Sequence, residues 1–186
     1  MLHYKFSKIS EFSESDLALT YNLLSKEQQE YINGLNSLKK DHSIAVRCLL
    51  SFLLKEINLA VSIENLSATN SGKPFLSDSN IFISLTHSKE YVGCALSDKP
   101  VGIDVEQIKD VKDSVIKRVC SKDEINYLAK SGKDEFFTLW ALKEAYIKAA
   151  TETLKMTEIS IVENGKITDK YTLGQIDNYK WAIITL

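Results

Sequence analysis

Asp104 and Glu106 stand two apart in VGIDVE, residues 101–106. On an extended strand that spacing turns both carboxylates to one face, while Ile103 and Val105 turn to the other, into a core. Carboxylates aimed at one point repel unless solvent or a cation separates them. A strand face open to water would give the same alternation. A second constellation lies in FFTLWALKEAYIKAA, residues 136–150, which reads as an amphipathic helix. There Glu144 and Lys148 are four apart on one face, with Trp140 one turn earlier. An ordinary surface ion pair, worth ~0.3–0.5 kcal/mol, is the alternative, but it leaves the aromatic neighbours unused. If Glu144 joins Asp104 and Glu106, three carboxylates converge with too few cations to balance them. Hard oxygen donors of this kind suit Mg²⁺ or Mn²⁺, which keep open positions for water and phosphate oxygens.

Groups able to hold phosphate lie upstream. His87 sits in SLTHS between the hydroxyls of Thr86 and Ser88; a lone histidine is more often structural, but a turn among small donors favours an anion. Arg47 can fork onto phosphate oxygens. Gly72-Lys73-Pro74 reads first as a turn, with Lys73 a further phosphate or base contact. The sequence holds no glycine-rich phosphate loop, HExxH or GxSxG. The residues alone therefore point to a divalent-metal site for a polyphosphate ligand.

The elements that must position these groups repeat. SKEQQEYI (25–32) resembles SKDEINYL (121–128) at an offset of 96 residues, each opening on a capping-box pattern: Ser25 with Gln28, Ser121 with Glu124. The same offset lays Arg47 under Lys143, Cys48 under Glu144 and Phe52 under Lys148. Residues 81–88, 91–98 and 101–108 read as strands separated by tight turns, and ISIVENGKI and NYKWAIITL as the second half's strands. The expected fold is α+β: two similar lobes related by pseudo-twofold symmetry, residues 1–100 and 101–186, each a small antiparallel sheet packed with helices. A ligand would sit in the cleft between them.

Bulk properties narrow the function. The chain has 186 residues, 44 % hydrophobic and 26 % charged, as in a folded globular protein. Its net charge of -2 gives no electrostatic footprint for nucleic acid. No apolar run is long enough for a signal peptide or a membrane span, so neither a membrane nor secretion is expected. Cys48, Cys94 and Cys120 are odd in number and far apart, which suits reduced, buried thiols and a cytoplasmic protein.

Together GIDVE (102–106), WALKEAYIK (140–148), GKPF and SLTHS resemble the 4′-phosphopantetheinyl transferase superfamily. The first two look like its G-[IV]-D-x-E strand and its W-x-x-K-E-A-x-x-K helix, and the duplicated length is similar to its Sfp-type branch of pseudo-dimeric monomers. The resemblance implies transfer of 4′-phosphopantetheine from coenzyme A to a serine of an apo acyl or peptidyl carrier protein, releasing adenosine 3′,5′-bisphosphate. It implies that Asp104, Glu106 and Glu144 bind the metal, that Glu144 takes the serine proton, and that Lys148 neutralises the leaving phosphate with help from Lys143. Thr86 and His87 would hold coenzyme A phosphates, Arg47 the 3′-phosphate, and Lys73 the nucleotide end. Two departures stand out. Members often carry basic residues before the Arg47 position, where this chain has QQEYINGLNSLKK; and a glycine-containing turn often follows the Lys148 position, where it has AATETLKMTE. A relative that binds coenzyme A without transfer, or a metal-dependent phosphohydrolase, are the alternatives. For the acidic carrier, Lys109, Lys112, Lys117, Arg118 and Lys122, interleaved with Val111, Val115 and Ile116, form an expected docking patch; a solvated amphipathic helix would look the same.

Overall fold

Leu2, Tyr4 and Phe6 alternate with His3, Lys5 and Ser7, the period of a strand, and Leu2–Lys8 forms β1. The computed structural model describes residues 1–69, 72–150, 154–168 and 170–186. It divides the chain into two units, Met1–Pro100 and Val101–Leu186. After β1 the first unit runs through α1 (Glu14–Leu23), α2 (Lys26–Asn33), α3 (Ser37–Glu56), β2 (Leu66–Ala68), β3 (Pro74–Leu76), β4 (Phe82–Ser88) and β5 (Tyr91–Ser97). Its antiparallel sheet has the order β1-β5-β4, with β2 and β3 as a separate hairpin. Asn36 caps α3 by accepting the Lys39 N–H at 3.0 Å. Below the cap, Ala45, Val46, Leu49, Leu50, Leu53 and Leu54 form an apolar stripe at helical spacing, and all are buried. They share a core with Ile83, Val92, Cys94 and Leu96 of the sheet.

The second unit comprises β6 (Val101–Gln107), α4 (Asp113–Val119), α5 (Lys122–Ser131), α6 (Glu135–Ala149), β7 (Val162–Glu163), β8 (Lys166–Ile167), β9 (Thr172–Ile176) and β10 (Tyr179–Thr185). Its sheet has the order β6-β10-β9, antiparallel throughout. Each unit is therefore α+β with one plan: its first strand pairs with its last, the last pairs with the one before, and a small hairpin precedes that pair. The segment 159–167, read as strand of the second half, folds back on itself as a separate hairpin. Asn164 and Gly165 take φ of 52° and 76°, the left-handed pair that closes a two-residue hairpin, so β7 and β8 bond only to each other.

α6 departs from the amphipathic expectation. No residue of it is exposed: Phe136, Phe137, Leu139, Ala141, Leu142, Ala145 and Ala149 are buried, and Trp140, Glu144, Tyr146, Ile147 and Lys148 are half-buried. The helix packs on both β6 and β10, so its polar side is set into the unit rather than into open water. All three cysteines are free and buried; burial pushes the Cys94 thiol up to about 12 and Cys120 to about 11, where they are unreactive. Among the described residues no helix is long and apolar enough to cross a membrane.

Candidate functional site

Gly102 decides how the two motifs of the second unit meet. A methyl group there would lie 1.8 Å from the Ala145 carbonyl oxygen and 2.8 Å from the Ala149 nitrogen. Only glycine lets β6 and the last turns of α6 approach so closely. Two residues on, Asp104 is 5 % exposed, and its Oδ1 accepts the Lys148 ammonium at 2.7 Å. Lys148 also donates to the Ile103 carbonyl at 3.0 Å, which ties the helix side chain to the strand backbone. Glu144 lies one turn before Lys148 on α6, and Glu106 follows Asp104 on β6.

The acidic side chains feel one another. Burial, the Asp104 charge and then Glu144 push the Glu106 carboxyl up to about 7, against the pull of Lys109 and Lys148. Burial and then Asp104 raise Glu144, with Lys148 opposing. Carboxylates whose ionisation is held back by one another are the donor chemistry of a hard divalent cation. Their present arrangement is not a closed ligand shell: among the described residues no group of three or more His, Cys, Asp or Glu side chains is placed to hold a metal ion. Lys148 already supplies a positive charge to Asp104, so an incoming cation would compete with that ammonium.

Lys143, one residue before Glu144, points elsewhere. Its side chain is fully buried, as is that of its partner Glu124, at 2.8 Å. The ammonium also donates to the Val119 and Met156 carbonyls at 3.0 and 2.9 Å. Glu124 in turn accepts the Ser121 N–H at 2.7 Å, completing the cap of α5, and the Ile161 N–H at 3.2 Å. The pair fastens α6 to the start of α5 and to the segment leading into β7. Thr151, Glu152 and Thr153, within the segment that departs from the expected glycine turn, lie outside the described residues.

The first unit holds a cavity of about 680 Å³. Arg47, Gln28, Tyr31, Ser43, Lys39 and His87 are among its lining residues. Arg47 is 8 % exposed. It donates from Nε and Nη2 to Gln28 Oε1 at 3.2 and 2.8 Å, and from Nη1 to Ser43 Oγ and O at 2.6 and 3.0 Å. Burial lowers its pKa, and the Tyr31 hydroxyl, whose ring lies 5.9 Å from the guanidinium carbon, opposes that. Thr86 and His87, as neighbours on β4, project to opposite faces: His87 lines the cavity, whereas Thr86 is buried with its methyl towards Gly93. Lys73 borders a second cavity, of about 550 Å³, with Phe75, Phe82 and Asp98; its neighbours Gly72 and Pro74 border the first. Burial lowers the Lys73 pKa, and Gly72 takes the turn at φ 83°.

Three residues of these sites were not expected. Ser25 caps α2 through the Gln28 N–H at 3.3 Å, but the Gln28 side chain turns to Arg47 instead of closing the capping box. Glu124 closes its box and meets Lys143 as well. The 96-residue offset contained both pairings, Gln28 with Arg47 and Glu124 with Lys143, had it been read pair by pair. His42 had no such signal: it stacks on His87 at 4.8 Å and 25°, with Nδ1 2.7 Å from the Leu38 carbonyl and Nε2 against that of Lys89. Along α4 and its flanks, Val111 and Ile116 are buried in the core and Val115 is half-buried against it, while Lys109, Lys112, Lys117, Arg118 and Lys122 are exposed, so the basic patch has little apolar surface of its own.

Comparison with known proteins gives one family. Residues 100–183 match the family model of the 4′-phosphopantetheinyl transferase superfamily. The chain is 30 % identical over 136 residues to 4′-phosphopantetheinyl transferase gsp of Aneurinibacillus migulanus, covering 70 % of this chain and 57 % of that protein. It is 32 % identical over 118 residues to 4′-phosphopantetheinyl transferase Sfp of Bacillus subtilis (strain 168), covering 61 % and 51 %. With 4′-phosphopantetheinyl transferase psf-1 of Bacillus pumilus it shares 40 % over 82 residues, 41 % and 35 % of the two chains. The chain thus spans about half the length of the curated relatives it matches. The β6 and α6 motifs fall inside the matched region, and the chain belongs to the 4′-phosphopantetheinyl transferase superfamily, with Sfp-type transferases as its relatives.

Proposed function

We propose that this protein transfers 4′-phosphopantetheine from coenzyme A to a serine hydroxyl of an apo acyl or peptidyl carrier protein, acting as a monomer in the cytoplasm. The observation that carries the reading is the packing of β6 on α6 at Gly102, beside which Asp104 meets Lys148 and the charges of Asp104 and Lys148 act on Glu106 and Glu144. In the reaction the serine oxygen attacks the phosphorus that bears the pantetheine arm. A new P–O bond forms, the bond to the other phosphate breaks, and adenosine 3′,5′-bisphosphate leaves with the electron pair. Glu144 receives the serine proton; its raised pKa brings it nearer the operating pH, which makes it a better base than an ordinary carboxylate. Lys148 would neutralise charge growing on the leaving phosphate. Asp104, Glu106 and Glu144 would hold Mg²⁺ or Mn²⁺, whose chemistry when bound is to lessen the repulsion between pyrophosphate and nucleophile. Their oxygen donors and mutual repulsion fit such an ion.

In the first unit, Arg47 and His87 would hold phosphates of coenzyme A within the 680 Å³ cavity. Thr86 would support His87 from the far side of β4, and Lys73 would meet the nucleotide end. Lys143, buried on Glu124, would serve by fixing the helix that carries Glu144. The exposed basic residues of α4 and its flanks would meet an acidic carrier. The test is to incubate the protein with coenzyme A, Mg²⁺ and a panel of apo acyl and peptidyl carriers, then weigh the intact carriers. A gain of one phosphopantetheine on at least one carrier is expected. Release of adenosine bisphosphate without a carrier would instead mark a phosphohydrolase, and tight coenzyme A binding with no product would mark a binding relative.

A further inference from the structure

The two units use one pair of positions in opposite ways. In the second unit, Glu124 on α5 and Lys143 on α6 form an ion pair at 2.8 Å with both side chains fully buried. Ninety-six residues earlier the same places hold Gln28 on α2 and Arg47 on α3, joined at 2.8 and 3.2 Å. Glutamine has the shape of glutamate without its charge. Among the described residues the other partners of Arg47 are the Ser43 carbonyl and hydroxyl and the Tyr31 ring, and none of them carries a full negative charge. In one unit a buried cation is cancelled inside the fold. In the other, among the described residues, a buried cation has only neutral partners and borders a cavity, next to Ser43, Lys39 and His87. A charge so held is costly unless something outside the fold answers it.

We propose that Gln28 is the specificity-determining residue of this cavity: by offering Arg47 an amide instead of a carboxylate, it leaves the guanidinium charge for a phosphorylated ligand. Gln28 acts through Arg47 and orients it, since both bonds to its Oε1 fix the plane of the guanidinium. This also accounts for a cavity that works with few lysines before Arg47: the charge is made available by a neutral partner rather than by adding further cations. The inference rests on the reading that the cavity takes the phosphate-bearing end of coenzyme A.

The experiment is calorimetry on the full chain without metal, titrating adenosine 3′,5′-bisphosphate, adenosine and inorganic pyrophosphate into the native protein and Gln28→Glu. The substitution keeps shape and adds only charge. Expected is a loss of at least about tenfold in affinity for the bisphosphate and for pyrophosphate, with adenosine binding unchanged and a melting temperature no lower than native. A purely structural role would weaken adenosine in parallel, and that result overturns the proposal. Equal affinity of both proteins for the phosphorylated probes overturns it too. So does a variant that no longer folds, because the second unit buries an ion pair in this geometry. If the native protein takes pyrophosphate but not the nucleotide, the coenzyme A reading fails and pyrophosphate alone decides the charge proposal; if it takes neither, the proposal is wrong.

Discussion

Glu106 and the Lys143–Glu124 pair show how differently one unit treats charge. The Glu106 carboxyl is raised from its ordinary 4.5 to about 7 by burial and by Asp104. A group whose folded pKa lies above its unfolded value stabilises the fold below the unfolded value and loses that contribution as pH rises through the folded one. The metal-free protein should therefore lose stability between about pH 5 and pH 8, seen as a falling melting temperature in chelator. Glu106→Gln should flatten that slope, and added Mg²⁺ should restore stability at pH 8 in the native protein only; an unchanged slope in the variant contradicts the assignment. Lys143 and Glu124, by contrast, balance each other out of reach of solvent. Removing one partner, as in Glu124→Gln, should cost about 3–5 kcal/mol in urea unfolding, whereas Lys143→Met combined with Glu124→Gln should recover part of it, because no buried charge is then left alone and the amide oxygen still accepts a backbone N–H. A loss under about 1 kcal/mol would show that the pair is not the clasp described.

At the scale of elements, what the sequence made legible were the local patterns. The strands around VGIDVE and SLTHS and the helix around WALKEAYIK follow from alternation and helical spacing, and Leu2–Lys8 carried the same period-two signal as they do. What was not legible depends on neighbours far along the chain. The spacing of α6 resembles an amphipathic surface helix, yet packing on two strands half-buries even Glu144 and Lys148. Local spacing placed Lys143 beside Glu144 in the sequence but could not show that it turns to Glu124, and it gave no hint that His42 stacks on His87. Gly102 joins the two kinds of information: a motif glycine in the sequence, a point of backbone contact in the fold. Gly102→Ala would place a methyl 1.8 Å from the Ala145 oxygen, so β6 and α6 must separate. The expected cost is at least about 1–3 kcal/mol, with transfer activity lost in the fraction that remains folded, because Asp104 no longer meets Lys148. Native stability and activity in that variant would mean that the close approach does not position the site.

For the whole molecule, duplication followed by divergence is the simplest account of two units with one strand plan and one repeated pair of polar positions. The first unit has a buried cation beside a cavity; the second has Glu144 and Lys148 where the first has Cys48 and Phe52. If the two contributions are divided in this way, they should separate kinetically. Arg47→Met should raise KM for coenzyme A about tenfold or more with a smaller effect on kcat, and Glu144→Gln should do the reverse. The most direct test of the central claim is intact-mass measurement of an apo carrier protein incubated with coenzyme A, Mg²⁺ and either the native protein or Glu144→Gln. The prediction is complete conversion by the native protein and a rate lower by about 10²-fold or more in the variant. Equal rates for the two proteins, or no mass gain on any acyl or peptidyl carrier, would contradict it.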